Sequence, residues 1–135
     1  MKRLVRRLGA SERGASAVEF ALILPALVTL IAGVAQLGVL FMANAGLRNA
    51  VAEGARYATI YPRPTDAQIT QRITDKRFGL DPANLTAATI THGVSSGTNY
   101  ADIRMTYTVP MNFVFFSLPS VTLVESRRAF IQPTT

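Results

Sequence analysis

The chain has 135 residues, a formal net charge of +6 and 49% hydrophobic residues, with no cysteine and no tryptophan. Without cysteine there is no disulfide framework and no thiol chemistry, and the length leaves room for one small folded domain once a long apolar run is set aside. Lys2, Arg3, Arg6, Arg7 and Arg13 against Glu12 put most of the excess charge on an N-terminal flank and not on a folded face, which argues against nucleic acid as a partner.

Behind this flank lies Gly14-Ala15-Ser16-Ala17-Val18-Glu19-Phe20, and from Phe20 to Leu47 no side chain is ionisable. As a helix the run reaches about 42 Å, more than the ~30 Å of a bilayer's hydrocarbon core. A transmembrane stretch over roughly residues 18–42 is predicted, with the basic end towards the cytoplasm by the positive-inside rule. Glu19 heads this run, where a carboxylate carried to the membrane centre costs about 2.5–3.5 kcal/mol. Two readings are open for it. It reaches the headgroups, or Gly14 marks a cleavage point that leaves a free amine on Ala15, four residues away, for the carboxylate to pair with in its own or a neighbouring subunit. Ala43-Asn44-Ala45 fits the small-x-small pattern of signal-peptidase cleavage, and so offers a different processing route.

Pro25 removes a helical hydrogen bond and is expected to bend the span. Thr29 and Gln36 share a face with Ala32 and Gly33, a pattern that favours contact with another helix in the membrane. Further on, Gly46, Ala50, Gly54 and Ala58 recur every fourth residue and form a narrow ridge without bulk. That ridge suits either the chain's own sheet, which is favoured, or another subunit. Arg48, Glu53 and Arg56 are placed on the solvated side, with Glu53 and Arg56 spaced to pair.

Pro62 and Pro64 end the long helix, giving it a predicted extent of 15–61. Thr65-Asp66 offers a cap for a short amphipathic helix from Asp66 to Phe78, buried through Ile69 and Ile73 and closed by Gly79. Leu85 to His92 reads as a strand and Gly93 to Asn99 as a loop. Tyr100 to Val109 alternates strictly, with Ala101, Ile103, Met105, Tyr107 and Val109 on the apolar face. Met111 to Leu118 is an apolar cluster on a connection, expected to fold under the sheet as core; exposed, it would mark an interface or a membrane contact. Val121 to Ile131 supplies the last strand. The fold class predicted is α+β: a long N-terminal helix, then a small domain at 62–135 with a short helix and an antiparallel sheet.

Sites for chemistry are sparse. His92 is the single histidine and has no cysteine to share a zinc ion with, and no phosphate-cradling glycine loop occurs. Neither catalysis, a metal nor a cofactor is expected.

Glu12-Arg13-Gly14, then Ala17-Val18-Glu19-Phe20-Ala21-Leu22 and Leu24-Pro25, resemble the TadE-like family of pseudopilins, relatives of type IV pilins. Ala52-Glu53-Gly54-Ala55-Arg56-Tyr57-Ala58 resembles the segment that follows the membrane helix in that family. The resemblance implies a pilin-like fold and a leader at residues 1–14, removed by a prepilin peptidase between Gly14 and Ala15. It further implies pairing of Glu19 with the Ala15 amine of an adjoining subunit, and a minor role in assembly, priming or the tip of a Tad (tight adherence) pilus or secretion system that supports surface attachment. The implied partners are the peptidase, other pilin and pseudopilin subunits, an inner-membrane assembly platform and the lipid bilayer. The implied location is the bacterial inner membrane, single-pass, with the domain in the periplasm or carried onto a surface pilus. An uncleaved single-span protein whose periplasmic domain binds a partner is the alternative.

Overall fold

The computed structural model describes residues 12–131, so Lys2, Arg3, Arg6 and Arg7 of the predicted leader lie outside the described residues. Helix α1 runs from Glu12 to Ala58 with Pro25 inside it, about 70 Å at 1.5 Å per residue. It stops just short of the predicted residue 61, where Thr59 N–H turns back onto the Arg56 carbonyl. Helix α2 spans Asp66–Asp75 and opens on a capping box, in which the Thr65 hydroxyl accepts from Gln68 N–H and the Gln68 side chain accepts from Thr65 N–H. Two orphan donors of the first turn are satisfied in this way.

Three expectations are corrected here. Helix α2 ends at Asp75 and not at Phe78: Lys76 N–H closes on the carbonyls of Ile73 and Thr74, and the chain leaves the helix to set Leu80 against the long helix near Gly46. Gly79 makes this turn with φ +72, a conformation costly for a side chain. The segment expected as a loop from Gly93 to Asn99 is mostly strand. β1 (Thr89–Ser95) and β2 (Thr98–Asn112) are joined only by Ser96-Gly97, both at positive φ, as a two-residue hairpin turn requires. The third correction concerns Met111 to Leu118, of which only Met111 packs, half-buried, against the core. Val114 is 63%, Phe115 62%, Phe116 48% and Leu118 50% exposed, and the last strand, β3, begins at Ser117 and runs to Phe130.

The sheet is a three-stranded antiparallel meander in the order β1-β2-β3. β2 carries the predicted alternation: Ala101, Ile103, Met105, Tyr107 and Val109 are all buried. Together with Ile69 and Ile73 of α2 and Leu47, Ala50 and Val51 of α1 they form one core. The fold is α+β, with the second half of α1 laid along one face of the sheet and α2 packed beside it.

Candidate assembly interface on the long helix

Helix α1 has two halves with different surroundings. From Gly14 to Leu27 every side chain is exposed, including Val18, Phe20, Leu22, Ile23 and Leu24. Beyond Ala43 the helix is embedded in the domain. An apolar surface of this extent is not stable against water, and α1 is long and apolar enough to cross a membrane.

At the head of the free half, Gly14 and Ala15 lie in the first turns of the helix and Glu19 is exposed on it. Ala15 and Glu19 are one turn apart on the same face, about 6 Å along the axis. A Cβ built on Gly14 meets nothing within 4 Å, so packing does not explain a glycine there. Pro25 stands in mid-helix, and the Thr29 hydroxyl donates to its carbonyl at 2.8 Å.

Gln36 corrects the reading that its face awaits another membrane helix. Its side-chain amide donates to the Pro110 carbonyl at 2.6 Å, and Gly33 on the same face lies against the Phe113 ring. The contact comes from the chain's own β2–β3 hairpin. Between Pro25, Thr29, Gly33, Leu37, Met111 and Phe113 runs an open, apolar groove of about 790 Å³.

The small-residue ridge faces inward. A Cβ on Gly46 would stand 2.3 Å from the Phe78 carbonyl oxygen, and one on Gly54 would stand 2.4 Å from Ile73 Cγ1. Ala50 and Ala58 are buried as well. The neighbour is therefore chiefly α2 and the chain leaving it, more than the sheet. Spacing by four signals a close approach but not which element makes it.

Glu53, expected on the solvated side, instead bridges two helices. Its carboxylate accepts from Arg56 at 2.8 and 2.9 Å and from Arg72 of α2 at 2.7 and 3.1 Å, while the Arg72 guanidinium also lies over the Tyr57 ring. Hydrogen bonds from Arg56 and then Arg72 hold the Glu53 carboxyl at about 2, well below its ordinary 4.5. A carboxyl depressed in the folded state stabilises above its unfolded value, and that contribution fades as pH falls through the folded one. The gap in urea midpoint between wild type and Glu53→Gln should therefore be widest above pH 4.5 and close towards pH 2; curves that stay parallel would refute the bridge.

His92 sits between Asp66, 2.9 Å from Nε2, and Arg63, 3.1 Å from Nδ1. Among the described residues no three His, Asp or Glu side chains are grouped to hold a metal ion.

The free apolar half, its glycine and acid, and the Ala52–Ala58 turns are all carried on one continuous helix. Residues 14–56 match the family model described as TadE-like protein. This segment is TadE-like. No curated protein matches the chain, and no solved structure does. The TadE-like segment takes in the exposed apolar half of α1, the buried ridge as far as Gly54 and both α1 residues of the Glu53–Arg56 pair. It ends before α2 and the sheet, which lie outside the match. TadE-like proteins are a pilus-related family.

Proposed function

We propose that this chain is the precursor of a minor pseudopilin of a Tad-type pilus or secretion system, anchored in the bacterial inner membrane by α1 with its folded domain in the periplasm. The observation that carries this reading is the bare apolar half of a TadE-like helix, headed by Gly14 and Glu19. Such a surface suits lipid before assembly and neighbouring helices after it. A prepilin peptidase cuts between Gly14 and Ala15. The new amine then pairs with Glu19 of an adjoining subunit, so that neither charge stays unpaired as the helix enters the helical core. Other pilins and the inner-membrane platform are the partners, and surface attachment is the result. The small domain, held clear of the free half of α1, suits a priming or tip position.

One observation favours the alternative of an uncleaved single-span protein with a partner-binding domain: α1 is continuous through Gly14-Ala15, whereas proteases act on extended chain. Release after Ala45 has less support, because Ala43, Gly46 and Leu47 are buried within α1 against the domain. The test is deletion of this subunit from a piliated cell. The proposal expects loss of surface pili and attachment, restored by the wild-type chain; unchanged piliation would refute it.

A further inference from the structure

The β2–β3 hairpin is apolar well beyond what its core face needs. From Met105 to Val124 it carries no charged side chain. Its charges begin at Arg104 and Glu125, and Glu125 lies 3.7 Å from Arg48, which is also the first charge of α1 beyond Leu47. Helix and hairpin thus lose their charge at the same level and in the same direction.

The two elements keep step below that level. Ile103 lies by Gly54 and Phe113 by Gly33. The strand path between them is about 33 Å and the helix path about 32 Å. The hairpin tip is therefore fixed at the height of Gly33. Counting from Phe20, a bilayer's ~30 Å of hydrocarbon takes about 20 helical residues, to about Val39. Gly33 lies six residues short of that limit, about 9 Å inside the apolar layer.

We infer that the tip from Phe113 to Leu118 enters the acyl-chain boundary of the bilayer that α1 crosses, as a second membrane contact on the side of the folded domain. The inference rests on the membrane-anchored reading of α1. Val114, Phe115, Phe116 and Leu118 are the side chains presented, and a depth of about 5–10 Å is what interfacial apolar faces reach. The backbone is suited to it. Open strand edges are costly in lipid, but Phe113 N–H donates to the Phe116 carbonyl across the turn at 2.8 Å. Pro110 and Pro119, which flank the tip, have no N–H to leave unpaired, and the Pro110 carbonyl accepts a hydrogen bond from the Gln36 side-chain amide. A membrane-held tip also fixes the rotation of the domain about α1, so that one side of the helix is covered by hairpin and the rest stays open.

The chain has no tryptophan, so Phe115→Trp gives a single probe at an exposed position, and Val34→Trp gives one on the span. Each full-length variant is placed in phosphatidylcholine–phosphatidylglycerol vesicles, with and without bromine on the upper acyl chain. The inference expects blue-shifted Phe115→Trp emission that is mostly lost on brominated lipid, alongside quenching of Val34→Trp. Red, unquenched emission from Phe115→Trp with a quenched Val34→Trp overturns the inference and leaves the anchor standing. Blue emission without quenching overturns it in favour of a protein cover such as a second copy. If neither probe is quenched, the anchor reading falls and the inference with it.

Discussion

Gly54→Leu is expected to detach α2 from the long helix and unfold the exposed domain. The site is closed on both sides: a Cβ there meets Ile73 at 2.4 and 2.7 Å and Ile103 at 3.8 Å, and both isoleucines are fully buried. Even alanine should lose. Its better helix propensity returns about 1 kcal/mol at most, while overpacking a filled core costs about 1–3 kcal/mol. Leucine adds three further carbons with nowhere to go. Total stabilities of about 5–15 kcal/mol leave a small domain little margin. Urea denaturation in detergent, followed by circular dichroism, should show the domain's transition shifted far down or absent. Ile73→Val should recover part of the loss in Gly54→Ala but not in wild type, because the two positions share one space. If Gly54→Leu unfolded with the wild-type midpoint, the placement of α2 on α1 would be wrong.

Glu19→Gln is expected to abolish incorporation into pili while leaving insertion and processing intact. Glutamine keeps the size and the hydrogen-bonding capacity and loses only the charge. Glu19 lies on the exposed half of α1, so the substitution disturbs no core contact. Removing one partner of a buried ion pair costs about 3–5 kcal/mol, which corresponds to more than a hundredfold in the assembly equilibrium. The measurement is the ratio of this subunit in sheared pili to that in membranes, compared with wild type. An unchanged ratio would mean that Glu19 only meets headgroups.

Much of the architecture was legible because one-sided burial leaves a periodic trace. β2 alternates since Ala101 to Val109 face a helix while Asp102, Arg104, Thr106 and Thr108 do not. The cap of α2 was legible because Thr65 and Gln68 act locally. What was missed depends on distant partners or on conformation within a short polar run. Gly93 reads as loop by composition, yet it is needed inside the strand: the Tyr100 ring fills the space where its side chain would be, 2.4 Å from a Cβ. Arg128 in turn stacks on that ring at 4.0 Å. Nothing near Glu53 in sequence announces Arg72, nineteen residues on, beyond the two prolines. The apolar run from Phe113 to Phe116 has no period, and hydrophobicity alone reads as core. Its exposure follows from length: β2 runs with β3 past the folded core to the level of Gly33, where α2 and β1 no longer reach it.

Of the site, the Gly14, Glu19 and Pro25 pattern was visible in sequence because a lone acid and a proline stand out in an apolar run. The fold adds the contrast that makes the pattern testable. Gly46 and Gly54 are glycines because neighbours crowd them, whereas Gly14 has open space around it, so a bulky residue there leaves the fold untouched and reports on processing alone. The most direct measurement is the N-terminal sequence, by mass spectrometry, of the protein recovered from membranes of cells that contain the matching prepilin peptidase. Cleavage after Gly14 gives a start at Ala15 for wild type and an intact N-terminus for Gly14→Phe; a wild-type start at Met1, or near Gly46, rules this processing out.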